Sequence, residues 1–99
     1  MFLQYRQARP LTVKPMWKEE ENKISRSLTF KDFKQALAFM NAVGEVAEEL
    51  NHHPWWSNVY NKVEIELTTH DASNTVTEKD HELARRIDRI YDRMMAEKG

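Results

Sequence analysis

Residues 48–67 read EELNHHPWWSNVYNKVEIEL, and the change of period inside them decides the architecture. Up to Asn51 the apolar residues recur at helical spacing. Beyond Pro54 they alternate strictly, with Val63, Ile65 and Leu67 on one face and Lys62, Glu64, Glu66 and Thr68 on the other. Pro54 cannot continue a helix and pushes His53 toward an extended backbone. A helix therefore hands over to a strand, with His52 and His53 presented at the handover, and residues 58–70, NVYNKVEIELTTH, are expected to form a strand with one wet side.

Upstream, the helix is expected from Lys31 to about Asn51. Its stripe is Phe33, Leu37, Met40, Ala47 and Leu50, widened by Ala36, Val43 and Val46, and its start is capped through Thr29 and Asp32. Before it, residues 16–30 read as a hairpin turning near Glu21–Lys23, with Ile24, Leu28 and Phe30 evenly spaced and Arg26 and Thr29 interrupting the apolar run. Downstream, Thr77 is placed to cap a last helix running to about Glu97, striped by Leu83, Ile87, Ile90, Tyr91 and Met94. All these stripes are buried together if two helices cover one face of an antiparallel four-stranded sheet, a two-layer α+β fold.

Composition narrows the function. With 99 residues, 40% apolar and 31% charged, one domain is expected over 16–99, with residues 1–15 as an N-terminal arm. That arm carries Arg6, Arg9 and Lys14 and no acid, which faintly resembles a transit peptide remnant; the plainer alternative is a frayed terminus. A net charge of −1 offers no electrostatic reason for nucleic acid binding. No apolar run suits a bilayer, and the absence of cysteine removes thiolate catalysis, disulfides and thiolate metal sites. A cytoplasmic protein with no membrane association is expected.

Three of the four histidines, His52, His53 and His70, bracket the same strand segment. Imidazoles titrate nearest neutrality and supply both acid and base. Each also has a structural alternative: His52 and His53 at a helix end cap carbonyls or sit favourably at the negative end of the dipole, and His70 is an exposed strand end. A metal site with Glu48 or Asp71 is a weaker alternative, because no ligand spacing here matches a known signature. Trp55 and Trp56 suit a flat heteroaromatic ring, yet at least one is expected to pack structurally. Asp80 sits where a helix-capping acid belongs, and the acidic run Glu19–Glu21 and EKDHELARRIDR are solvated surfaces by default.

Residues 30–71, FKDFKQALAFMNAVGEVAEELNHHPWWSNVYNKVEIELTTHD, with EKDHELARRID at 78–88, resemble the pterin-4a-carbinolamine dehydratases, whose animal members are also called dimerization cofactors of a hepatocyte nuclear transcription factor. The pattern is an acid four residues before His-His-Pro, an aromatic, NVYNKV and a later Thr-His; Glu48, His52, His53, Pro54, Trp56 and His70 fill it in order. The resemblance implies dehydration of a 4a-hydroxytetrahydropterin to the quinonoid dihydropterin, without cofactor or metal, in tetrahydrobiopterin recycling. It implies catalysis by His52, His53 and His70, with His52 and His70 nearest the 4a-hydroxyl and N5. It implies substrate contacts from Glu48, Asn51, His52, His53, Pro54, Trp56, Thr68, Thr69, His70, Asp71 and Asp80. Asn51 stands where relatives often carry an acid, and a loop longer by about one residue leaves the role of Asp80 open. A homodimer or homotetramer is implied, with Met40, Met94 and Met95 available to extend a helix stripe, and a protein partner on a helix surface is the noncatalytic alternative.

Overall fold

The computed structural model describes residues 17–70 and 73–97; the arm at 1–15 and Asp71 lie outside them. In chain order the elements are β1 (Lys18–Glu20), β2 (Lys23–Thr29), α1 (Phe33–Leu50), β3 (Trp55–Val59), β4 (Lys62–Leu67) and α2 (Glu78–Glu97). The strands form one antiparallel sheet in the order β1-β2-β4-β3, with both helices against one face, the α+β arrangement expected.

Register explains the burial. Ile24 pairs with Leu67, Arg26 with Ile65, and Leu28 with Val63, so these side chains share the helix-facing side. Beneath them pack Phe39, Val43, Leu83 and Ile87, all fully buried. Each such side chain contributes about 1.5–3 kcal/mol on leaving water. Phe30, Phe39 and Tyr91 form an aromatic cluster, with Phe30 and Phe39 centroids 4.9 Å apart.

The structure corrects four local expectations. Residues 58–70 are not one strand: β3 and β4 form a hairpin about Tyr60 and Asn61, with Val59 opposite Lys62. This turn uses no glycine. Tyr60 takes φ 51°, Asn58 Nδ2 donates to the Tyr60 and Lys62 carbonyls, and Asn61 exchanges hydrogen bonds with the Phe30 backbone at 2.7 and 2.8 Å. The α1 stripe is turned toward Ala36, Phe39, Val43 and Ala47, leaving Phe33 and Leu37 more than 40% exposed. Asp32 alone caps α1, accepting from Gln35 N at 2.8 Å, because Thr29 is still paired in β2.

The fourth correction concerns charge. Arg26 does not merely interrupt an apolar run: it lies buried on the helix-facing side, ion-paired to Asp88 of α2 and stacked 4.9 Å from the Tyr91 ring centroid. Trp17 Nε1 donates to the same carboxylate at 2.7 Å. Thus EKDHELARRIDR is not wholly solvated, since both Asp80 and Asp88 are buried.

Candidate active site

The site begins at the end of α1. Asn51 adopts the left-handed conformation, φ 53° and ψ 43°, and its N–H bonds back to the carbonyls of Ala47 and Glu48. Asn tolerates this conformation better than most side chains. His52 N then donates to Ala47 O at 3.0 Å, so the chain reverses tightly before Pro54 starts it toward β3. The reversal turns His52 inward while His53 stays exposed.

What His52 meets is Asp80. Its Nε2 lies 2.7 Å from Asp80 Oδ1, with the carboxylate fully buried and the imidazole side chain 10% exposed. The second oxygen, Oδ2, accepts from Thr69 Oγ1 at 2.7 Å and from Thr77 N at 2.9 Å. Thr77 in turn caps α2, its Oγ1 accepting from Lys79 N at 3.3 Å and sharing a 2.6 Å hydrogen bond with Thr69 Oγ1. Asp80 is therefore at once the third residue of a reciprocal helix cap and the anchor of a histidine. With Nε2–H donating to the carboxylate, Nδ1 is the ring nitrogen that Asp80 leaves unengaged.

His70 reaches the same place because the Thr69 backbone is tied to Asn74 and Thr75. Thr69 N donates to Thr75 O and Asn74 N to Thr69 O, both at 3.0 Å, and Ser73 and Asn74 take positive φ. The His70 Nδ1 lies 2.7 Å from Asn74 Oδ1, which orients the ring and leaves Nε2 available. His53 Nε2 pairs with Glu48 Oε1 at 2.9 Å, but both side chains are more than half exposed, so water screens this pair.

A cleft of about 370 Å³ is lined by Asn51, His52, His53, Pro54, Trp55, Thr69, His70 and Lys79. The three histidines named from the sequence are thus brought together. Trp56 is not among the lining residues: it sits opposite Ile65 on the helix-facing side and packs against the core, with Trp55 at the cleft instead. Thr68 is turned elsewhere, donating to Asn22 O at 2.8 Å. Glu48 and Asp80 do not line the cleft but hydrogen-bond the lining histidines His53 and His52. Lys79 is the lining residue that the sequence did not mark, and of the two tryptophans considered it is Trp55, not Trp56, that reaches the cleft. Recognising the β3–β4 hairpin would have assigned the faces of the two tryptophans, and Lys79 immediately precedes the anchoring aspartate.

Among the described residues, no three histidine, aspartate or glutamate side chains converge as a metal-holding group. No helix among them is long and apolar enough to cross a membrane.

A family model described as pterin 4 alpha carbinolamine dehydratase matches residues 3–90. The chain belongs to the pterin 4-alpha-carbinolamine dehydratase family. A Synechococcus sp. (strain WH7803) relative, provisionally named a pterin-4-alpha-carbinolamine dehydratase, is 50% identical over 76 residues, covering 77% of this chain and 81% of its own. A transcriptional coactivator/pterin dehydratase from Brucella melitensis, known from its crystal structure, superimposes with a TM-score of 0.73 at 42% identity, over 77% of this chain and 82% of that one. A pterin dehydratase-like protein identified as a RuBisCO assembly factor in the alpha-carboxysome superimposes with a TM-score of 0.62 over 75% of this chain and 84% of that one. At 21% identity that last likeness is one of fold.

The dehydratase-family cleft depends on the α2 cap as much as on the histidines. Thr77→Ala removes the capping hydroxyl and one partner of Thr69, and is expected to lower stability by about 1 kcal/mol. Urea denaturation of both proteins checks this.

Proposed function

We propose that this protein dehydrates a 4a-hydroxytetrahydropterin to the quinonoid dihydropterin, as in tetrahydrobiopterin recycling, using His52 and His70 as its proton-transfer groups. The observation that carries this is the buried His52–Asp80 pair facing, across one cleft, a second imidazole oriented by Asn74. The elimination breaks the C4a–O bond and the N5–H bond and forms the C4a–N5 double bond. His52, backed by Asp80, takes the N5 proton; His70 protonates the departing hydroxyl, which leaves as water. His53 sits at the exposed margin and orients the ring. Asn51, Pro54, Thr69 and Trp55 supply polar edges and a flat apolar face for a planar heterocycle, Asp71 completes the proposed contact set, and the buried Asp80 holds His52 from behind. This chemistry asks for no metal and no cofactor.

A single domain over 16–99, in a cytoplasmic homo-oligomer, completes the proposal. β3 ends the sheet, and Trp55, Val59 and Tyr60 on or beside it are 57–75% exposed, surface that a second copy would cover. A noncatalytic interaction module on this fold is the second candidate, favoured by the RuBisCO assembly factor that shares the fold. Three imidazoles lining one cleft favour the enzyme.

The test adds purified protein to freshly generated 4a-hydroxytetrahydropterin at neutral pH and follows the quinonoid product by stopped flow. The expected result is a rate proportional to protein concentration and well above spontaneous dehydration, diminished in His70→Ala. A rate equal to the spontaneous one with wild-type protein refutes the enzymatic assignment.

A further inference from the structure

Thr69 lies between a half-buried Thr68 and an exposed His70, yet is itself only 4% exposed. Its hydroxyl has two partners, Asp80 Oδ2 at 2.7 Å and Thr77 Oγ1 at 2.6 Å. A carboxylate only accepts, so the single Thr69 hydroxyl proton goes to Asp80, and the Thr77 hydroxyl donates to Thr69. Thr77 Oγ1 still accepts from Lys79 N. The result is a directional chain of hydrogen bonds from the α2 cap, through Thr69, to the carboxylate that holds His52.

We infer that Thr69 is a positioning residue: its hydroxyl fixes the rotation of the Asp80 carboxylate, which aims Oδ1 at His52 and keeps the ring in the tautomer with its proton on Nε2. The effect on rate rests on the dehydratase assignment above; the effect on the ring does not. Two donors meet Oδ2, the Thr77 N–H at the start of α2 and the Thr69 hydroxyl from the segment after β4. Held from two different elements, the carboxylate cannot turn; held by the Thr77 N–H alone, it pivots about that bond. The contact such a pivot stretches is the one between Oδ1 and His52 Nε2. Asp80 is fully buried and the His52 side chain 10% exposed, so bulk water does not replace the lost donor. Valine at 69 keeps the branched shape of threonine and removes only that donor.

The test pairs steady-state kinetics on a 4a-hydroxytetrahydropterin with long-range ¹H–¹⁵N spectra of ¹⁵N-histidine protein at alkaline pH, where imidazoles are neutral and their tautomers are read from the two nitrogen shifts. Wild type is expected to show His52 protonated at Nε2 alone. Thr69→Val is expected to show both tautomers and a kcat lower by about tenfold, with KM within about twofold, in line with a reacting group slightly misplaced. Thr69→Ser, which restores the hydroxyl, is expected to recover the single tautomer and most of the rate. In Thr77→Ala, Thr69 keeps its bond to Asp80, so stability falls while the His52 tautomer persists; this separates positioning from mere stability. Thr69→Ala, which also lacks the hydroxyl, takes the place of Thr69→Val if the latter does not fold. A wild-type His52 protonated at Nδ1, a Thr69→Val protein with wild-type kcat and tautomer, or a Thr69→Ser protein as impaired as Thr69→Val would each overturn the inference. Because the spectra need no turnover, a wild type that does not accelerate dehydration, with the tautomers responding as expected, sinks the dehydratase assignment and leaves the positioning role standing.

Discussion

His52→Ala is expected to lower kcat for 4a-hydroxytetrahydropterin dehydration by about 10²–10⁴, the range of a positioned general acid or base. The size follows from burial. The imidazole is held within 2.7 Å of a fully buried carboxylate, so its ring is fixed in orientation where water is scarce. Removing the ring also leaves Asp80 Oδ1 without its partner, so some loss of stability accompanies the loss of rate. Circular dichroism separates the two effects, because a folded His52→Ala protein with little residual activity isolates the chemical contribution. His53→Ala should cost far less, since its pair with Glu48 is exposed and the ring stands at the margin of the cleft.

Asp88→Ala is expected to destabilise the fold by about 3–5 kcal/mol, because it leaves the Arg26 guanidinium buried without its counter-charge and strands the Trp17 indole N–H as well. For a domain of this size that corresponds to roughly 15–30 °C in Tm. Among the described residues the Arg26 Nε already lacks a partner, so no spare acceptor among them absorbs the change. Replacing both members, Arg26→Met with Asp88→Leu, is expected to recover most of the loss, since an apolar pair of similar volume avoids the desolvation of two charges. Thermal melts of the single and double variants decide the matter. A Tm for Asp88→Ala within a few degrees of wild type would show that water reaches Arg26.

Much of this architecture is legible in the sequence wherever period and punctuation agree. Val63, Ile65 and Leu67 alternate and are buried, Pro54 ends the helical run, and Thr77 caps α2 as its position suggests. The β3–β4 hairpin is hidden because its turn contains no glycine; Tyr60 and Asn61 are held instead by Asn58 and by the distant backbone of Phe30. That concealed turn also hides the parity that sends Trp56 to the core and Trp55 to the cleft. Arg26 and Asp88 are 62 residues apart, and only the packing of α2 on β2 reveals them as partners. Asp80 is the instructive residue of the site. Local spacing assigns it to the helix cap, which is correct, but its other oxygen faces His52 across 28 residues of sequence. Glu48, Asn51, Pro54 and the three histidines could be named from the motif, whereas Lys79 carried no signal beyond its place beside Asp80.

His52 and Asp80 are proposed to act as one unit, and a double-mutant cycle on kcat tests this most directly. Asp80→Asn keeps an oxygen for the Thr77 N–H but loses the carboxylate charge that holds the His52 ring. Asp80→Asn should reduce kcat on its own, while His52→Ala/Asp80→Asn should be no slower than His52→Ala, since the carboxylate has nothing to act through once the ring is gone. Full additivity of the two losses, or an Asp80→Asn protein as fast as wild type, would contradict it.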